Sequence, residues 1–317
     1  MAPWLPRMHV FEIHDQPWFH PWFRAKVQAA LTETWLMSLR PLQPESPASI
    51  VARVLADDLG DKVGEFVFVD YCAGGGGPTP WIEKYINNER ATTKPLLAGA
   101  AAAGSVQFVL TDLHPHIHNW ALSAAASPNI HYAPNPVDAS ASPPNLLTTI
   151  EPPLPSPSSP LQPRQKTKSF RTFHLAFHHF PDPLARAILR DTLQTSSGLA
   201  IFELQDRTLR SFLSVLLLGL GVLAFAPVFA WRWRSPGTLF WSWVVPVLPF
   251  VLVWDGWMSS VRTRTLEEVE ELMRSCGADG DGELGAWRVR SGRITHLPPW
   301  ADLNWIIATK EGEGEVV

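Results

Sequence analysis

The stretch Glu65–Glu83, EFVFVDYCAGGGGPTPWIE, passes from an apolar run to a glycine turn and a helix start with almost nothing between. Few folds accommodate that order. Phe66, Val67, Phe68 and Val69 form a short, continuous run of β-branched and aromatic residues, as expected of a strand covered on both faces of a parallel sheet. Asp70 closes the run with a carboxylate. Gly74 to Gly77 lack Cβ atoms, so the turn is free to take positive φ and to bring backbone N–H groups close to a ligand. Thr79 reads as a helix cap, with Pro80 at the first helical position. The outline is that of a βα unit that cradles a nucleotide. It does not meet the dinucleotide fingerprint G-x-G-x-x-G, because Gly74 and Gly76 are followed by Thr79 where the third glycine belongs.

A chain of 317 residues holds one large α/β domain with additions, or two small domains. Its net charge of -4 gives no electrostatic footprint for nucleic acid, whose phosphates call for clustered Lys and Arg. Only Cys72 and Cys276 are present, far apart, so no disulfide framework or cysteine-based zinc site is expected. The start, MAPWLPRMHVFEIHD, has no uninterrupted apolar core and carries acids and histidines early. It is read as neither a secretory signal nor a transit peptide.

Taken in order, residues 1–60 read as an N-terminal helical arm, with Asp15, Gln16 and Trp18 in a lid or packing segment. A helix over Ile50–Leu59 follows, capped at Ser46 or Ser49 and stopped by Gly60. Beyond the glycine turn, WIEKYINNERATTKP is a crossover helix, an Ala-rich link follows, and SVQFVLTDLHP is a second strand ending at Asp112. An acid at that place accepts hydrogen bonds from ribose hydroxyls in nucleotide-binding α/β folds, and Asp112 also reads as a cap for HIHNWALSAAAS. The alternating His114, His116 and His118 cannot face one point on a helix, so no metal site is expected. NIHYAPNPVDA is a third strand ending in Val137 and Asp138. From Ala139 to Lys168 Pro and Ser dominate, which reads as a disordered or weakly ordered surface insertion. FRTFHLAFHHFPDP is a fourth strand running into a helix capped at Asp182, and a fifth strand follows. Two apolar runs come next, 212–230 and 238–254, joined by WRWRSPG. The first is long enough to cross a bilayer. Trp and Arg alternating in the connector resemble an interfacial turn, and a shallow re-entrant hairpin is expected over two full spans. A helix capped at Thr265 and two strand-like runs, AWRVRSGRITH and LNWIIATKEG, end the chain.

Asp70, Gly74 and Gly76 resemble motif I of the class I S-adenosylmethionine-dependent methyltransferases, although Cys72 stands where the family usually has a further glycine. Asp112 matches the motif II acid, Asp138 the acid that bonds the adenine amino group, and FHLAFHHFPDP has the form of motif IV. W-D-G and an arginine after an apolar insert are similar to a group of bacterial-type methyltransferases of unassigned substrate. The resemblance covers roughly residues 62–205 and 262–317. It implies a doubly wound, Rossmann-like α/β methyltransferase sheet with an antiparallel last strand pair, built from 61–205 and 262–317, with an inserted hydrophobic helical hairpin at 206–261. It implies S-adenosyl-L-methionine bound by Asp70, Cys72, Ala73, Gly74, Gly76, Asp112, Leu113, Val137, Asp138 and Phe177. His178 and His179 then fall near the methyl acceptor, and an imidazole there suits proton transfer near neutral pH.

The expected activity is methyl transfer to a small-molecule or lipid-like acceptor, either in the cytoplasm or at the cytoplasmic face of an intracellular membrane reached through 212–254. An NAD(P)-dependent oxidoreductase would share the strand, turn and helix, but the chain shows no Y-x-x-x-K pair and lacks the third glycine. A non-catalytic membrane adaptor would leave the three strand-ending acids without a purpose.

Overall fold

The computed structural model describes residues 3–93, 105–155, 168–278 and 285–310. In chain order the elements are α1 (Pro21–Leu36), α2 (Pro47–Leu59), β1 (Phe66–Tyr71), α3 (Thr79–Thr93), β2 (Gln107–Thr111), α4 (Ile117–Ala126), β3 (Ile130–Tyr132), β4 (Lys168–His174), α5 (Asp182–Thr195), β5 (Gly198–Glu203), α6 (Leu209–Arg232), α7 (Pro236–Leu239), α8 (Val247–Arg262), α9 (Leu266–Ser275), β6 (Trp287–Leu297) and β7 (Ala301–Lys310). They fall into two compact units. One comprises Ser46–Phe202, Leu266–Gly292 and the chain from Trp305; the other comprises the N-terminal residues to Glu45, Glu203–Thr265 and Arg293–Asn304.

The seven strands are ordered β3-β2-β1-β4-β5-β7-β6. The β1–β2, β1–β4, β2–β3 and β4–β5 pairs are parallel, and β5-β7-β6 forms an antiparallel end. This is the Rossmann-like methyltransferase sheet, in which β7 enters between β5 and β6; the plain dinucleotide order would end on its sixth strand. Every residue of β1, β2 and β5 is buried, as their continuous apolar runs require of central parallel strands. On one face Phe68 packs against Phe108 and Phe170, at centroid distances of 5.0 and 4.9 Å. On the other, Val69, Phe173 and Ile201 share a core with Leu189 of α5 and Val269 and Leu272 of α9.

Local signals place several ends. Ser46 caps α2, accepting from Ser49 N–H at 3.2 Å, and Gly60 ends it at φ 53. Because α2 packs on α3, the unit boundary falls before α2 and not at residue 60. At α5 the cap is Pro181, and Asp182 is the first helical residue instead of the cap.

Two expectations about the middle of the chain are corrected. The third strand ends at Tyr132 and not at Val137 and Asp138, since Pro134 and Pro136 have no N–H to continue a ladder. The segment after it is not a loose insertion as far as Pro155. Ala139, Leu146 and Ile150 are buried in the same core as Val109 and Phe173, and Tyr132 and Glu151 exchange two backbone hydrogen bonds of 2.8 Å. Lys168 is already in β4. Residues 156–167 of that stretch, and the Ala-rich link after α3, lie outside the described residues.

Arg171 of β4 anchors the segment. Its buried guanidinium donates to the Ala139 carbonyl at 3.1 Å, to Thr192 Oγ1 at 3.2 Å, to Thr195 Oγ1 at 2.6 Å and to Asp191, and lies 4.8 Å over the Tyr71 ring. Tyr71 in turn meets Ser142 Oγ through its hydroxyl at 2.6 Å. A buried cation is tolerated when its donors are used in this way.

In the other unit, α6 and α8 pack as a hairpin. A Cβ on Gly219 would meet Val253 at 2.3 Å and one on Gly256 would meet Val215 at 2.7 Å, so these glycines set the close approach. The N-terminal segment follows α8. Met8 N–H donates to the Val261 carbonyl at 3.0 Å, and Asp255 accepts from the N–H groups of Ile13 and His14 at 2.6 and 3.1 Å. Glu12, Arg262 and Ser259 form a buried cluster, with Arg262 Nη1 2.8 Å from Glu12 Oε1. Gln16 turns back onto the Glu12 carbonyl, and Trp18 stands exposed at the edge of Phe19.

The second apolar run is not one helix. It is α7, a π-helical turn over Phe240–Val244 and then α8, with a bend of 72°. Of the four arginines that flank the first run, Arg207 is buried and Arg210 is held by Asp302 at 3.0 Å, while Arg232 and Arg234 are exposed. Trp231 and Trp243 are exposed, whereas Trp241 packs edge-on to Phe23 and Trp233 stacks on Phe229.

Because Leu146 sits in the core, Leu146→Ala should destabilise the fold by about 2–5 kcal/mol. Chemical denaturation measures this, and a dispensable loop would leave the midpoint unchanged.

Candidate functional site

The carboxyl ends of β1 and β2 and the segments after β3 and β4 bring together most of the residues expected to bind a ligand. Asp70 is buried at the end of β1, and its Oδ2 accepts from Thr79 Oγ1 at 2.5 Å. Thr79 begins α3, so the side chain expected to cap that helix serves the strand end instead. Asp70 Oδ1 is buried with no hydrogen-bond partner. Burial pushes this carboxyl up to about 8, the Thr79 hydrogen bond working against the shift and the charge of Asp112 adding to it. At neutral pH Asp70 is therefore mostly a neutral acid.

Between β1 and α3 the chain turns through Cys72 at φ 64, Gly74 at φ 50, Gly76 at φ 109 and Gly77 at φ 49. Cys72 thus occupies the left-handed region although it carries a Cβ. That costs about 1–2 kcal/mol and explains why a glycine suits the position. Ala73 N–H donates to the Thr111 carbonyl at 3.0 Å and Gly76 N–H to the Ala73 carbonyl at 2.8 Å. A Cβ at Gly74 would meet no atom within 4 Å, so the turn faces open space there.

Asp112, just past β2, grips the turn. Its Oδ2 accepts from Gly74 N–H at 2.9 Å and its Oδ1 from His114 N–H at 2.8 Å. It does not cap α4, which begins at Ile117. From α4, Trp120 Nε1 donates to the Gly74 carbonyl at 2.9 Å, so both the N–H and the carbonyl of Gly74 are held. Val137 N–H donates to the Asp112 carbonyl at 2.9 Å, which brings the segment after β3 alongside. There Asp138 is exposed and accepts from Ser140 N–H and Oγ at 2.8 and 2.7 Å. Leu113 is exposed beside Asp112. Burial raises the Cys72 thiol, and Asp112, Asp70 and Asp138 all raise it further. Cys72 is no thiolate nucleophile, and the three acids converge on it.

After β4 the chain makes a sharp turn at Leu175, φ 57, whose N–H donates to the Phe202 carbonyl at 2.8 Å. Phe177, His178 and His179 form a 3-10 turn. Phe177 and Val137 belong to the core, Phe177 edge-on to Phe173 and Phe180. His178 is buried and its ring centroid is 4.2 Å from that of the half-buried His179.

Sequence reasoning missed three residues. Trp120 read only as part of a helix, yet it holds the glycine turn. Arg171 read as a strand residue and fixes the segment that carries Asp138. His174 stacks on Phe202 at 5.4 Å and is pushed down to about 3 by burial, so it is a neutral imidazole. An Arg in the middle of β4 and a His at its end were the available signals.

No family model matches the sequence, and no curated protein matches it. Among solved structures, the chain is similar to human N-acetylserotonin methyltransferase in complex with SAM at 13% identity and a TM-score of 0.42, covering 91% of this chain and 56% of that one. It spans little more than half of that relative's length. A SAM dependent methyltransferase from Aquifex aeolicus matches at 10% identity and a TM-score of 0.37, covering 89% and 97%. A Rhodobacter sphaeroides chain named for Zn-dependent alcohol dehydrogenases matches at 10% identity and a TM-score of 0.40, covering 92% and 98%. At such identities and scores, function is read from the site itself.

Asp70 gives a pH signature. Its folded pKa lies above the unfolded value of 3.8, so its contribution is complete below about pH 4 and is lost as pH rises towards 8, at about 1.4 kcal/mol per unit. Asp70→Asn should remove this slope in denaturation measured across that window; an unchanged slope would place the proton elsewhere. The strain at Cys72 is tested separately. Cys72→Val, β-branched at positive φ, should be less stable than Cys72→Gly by about 1–2 kcal/mol in paired thermal melts.

Proposed function

We propose that this protein is an S-adenosylmethionine-dependent methyltransferase acting on a small-molecule or lipid-like acceptor at a membrane. The observation that carries the reading is the convergence of Asp70, Asp112 and Asp138 on one glycine turn, at the carboxyl edge of a sheet in which β7 lies between β5 and β6. A cationic cofactor suits the carboxylates of Asp112 and Asp138, and the buried, unpartnered Oδ1 of the neutral Asp70 and the open face of Gly74 offer it a polar partner and room. The sheet order and the missing third glycine both tell against a nicotinamide dinucleotide.

When bound, S-adenosylmethionine supplies an activated methyl group on a sulfonium sulfur. The residues of the chain hold and orient. Asp112 keeps two oxygens at the turn and still has lone pairs for ribose hydroxyls. Asp138, exposed on a segment fixed to Asp112, is available to an adenine amino group. Methyl transfer leaves a proton on the acceptor, and His178 or His179 on the turn after β4 takes it. Most of the acceleration comes from alignment of donor and acceptor. The membrane part of the reading is supported by α6, an apolar helix of 24 residues with only 22% of its most apolar stretch buried. The cytoplasmic face of an intracellular membrane is the place of action we infer.

Asp112→Ala should weaken S-adenosylhomocysteine binding by about 1.5–3 kcal/mol in calorimetry, with NADH giving no saturable heat to either protein. Saturable NADH binding without S-adenosylhomocysteine binding would replace this reading with the oxidoreductase.

A further inference from the structure

One face of α6 is used and the other is not. Val215, Gly219, Val222 and Ala226 are buried. Leu209, Leu213, Leu216, Leu220, Val228 and Trp231 are exposed, and at helical spacing they form a single stripe about 33 Å long. No charged residue interrupts α6 between Arg210 and Arg232. A stripe of this extent is more than scattered surface leucines.

We propose, building on the membrane reading above, that α6 lies in the plane of a bilayer bearing anionic headgroups. The stripe and the neighbouring Trp243 enter the acyl region, and the helix does not cross.

Backbone chemistry identifies the occupant. Pro227 has no N–H to give to the Leu223 carbonyl four residues earlier. The missing donor is Trp243 Nε1, at 2.7 Å, from the π-helical turn. Water would satisfy such a carbonyl on an exposed helix at little cost, whereas hydrocarbon requires a partner from the protein. The same bond uses the only polar atom of the exposed indole, which leaves Trp243 an apolar ring. Charge agrees. The stripe ends at Trp231 and Arg234, both exposed, with Lys26 5.3 Å over the Trp233 ring, a composition that meets anionic headgroups.

The other side of the hairpin argues against a span. Met8, Ile13 and His14 are bonded along α8 from Val261 to Asp255. Phe19 and Val27 pack with Val251 and Leu252, and Glu33 of α1 pairs with Arg232 at 2.8 Å. A crossing would carry this irregular, charged segment into hydrocarbon, where lipid-facing irregular backbone does not occur.

The test uses the full chain, the double variant Leu216→Ser/Leu220→Ser and the single variant Arg234→Cys, with sealed phosphatidylcholine/phosphatidylserine vesicles. Wild type should float with the vesicles. The double variant should keep its thermal midpoint, since both leucines are exposed, and lose vesicle affinity by at least about tenfold. The thiol introduced by Arg234→Cys should react with a membrane-impermeant maleimide before detergent is added, the wild-type chain serving as control for Cys72 and Cys276. Protection of the introduced thiol until detergent is added would mean a span. Failure of wild type to float, or a dimer in sedimentation that the double variant dissolves, would overturn docking. S-adenosylhomocysteine calorimetry on the same preparations separates the two readings: flotation without cofactor binding sinks the transferase alone, and cofactor binding without flotation sinks the docking alone.

Discussion

Carboxylates brought close together in a buried place repel one another, and the sheet end at β1 and β2 has to hold three on short, adjacent segments. The structure resolves the conflict by giving each a different environment. Asp70 is buried and holds its proton. Asp112 accepts from two backbone N–H groups, and Asp138 stays at the surface with Ser140. The glycine turn depends on this division. Gly74 is fixed by Asp112 on one side and by Trp120 on the other, and Thr79 draws the start of α3 onto Asp70.

The parts of the fold that rest on neighbours in sequence were legible in it. The apolar run of β1, the Ser46 cap, the Gly60 stop and the final strand pair follow from periodicity, propensity and turn chemistry. What stayed hidden depends on distant partners. Leu146, Leu147, Ile150 and Leu154 are a few apolar residues set among Pro143, Pro144, Pro152 and Pro153, which break any helix their spacing would suggest, yet Arg171 draws that stretch onto the sheet through the Ala139 carbonyl and Asp191. The glycine turn was readable as a site, but Trp120 was not, because nothing local distinguishes an indole that holds a loop from one that fills a core. Asp70 was expected to be a carboxylate facing a ligand. Its protonation follows from burial, which one sequence does not display.

The hydrophobic hairpin divides in the same way. Its apolar runs and their unequal length are plain in composition, while the π turn inside the second is not. The first is one long helix, and Pro246 and Pro249 leave the second as a short helix, a π turn and a longer helix. The π turn has its own logic: it presents Trp243 at the level where Pro227 has removed a donor, so two departures from regular helix compensate each other.

The position of β7 bears on how the chain is made. β5 is complete at Glu203, but β7, its partner in the sheet, begins only at Ala301. While α6 to β6 are being synthesised, the edge of β5 has no strand beside it, and an open edge pairs readily with other chains. The helix emerging at that moment is the least water-soluble part of the protein. Early capture of the nascent chain at a lipid surface, or by a chaperone, would shield both hazards together, which makes translation rate and site of synthesis determinants of yield for this fold.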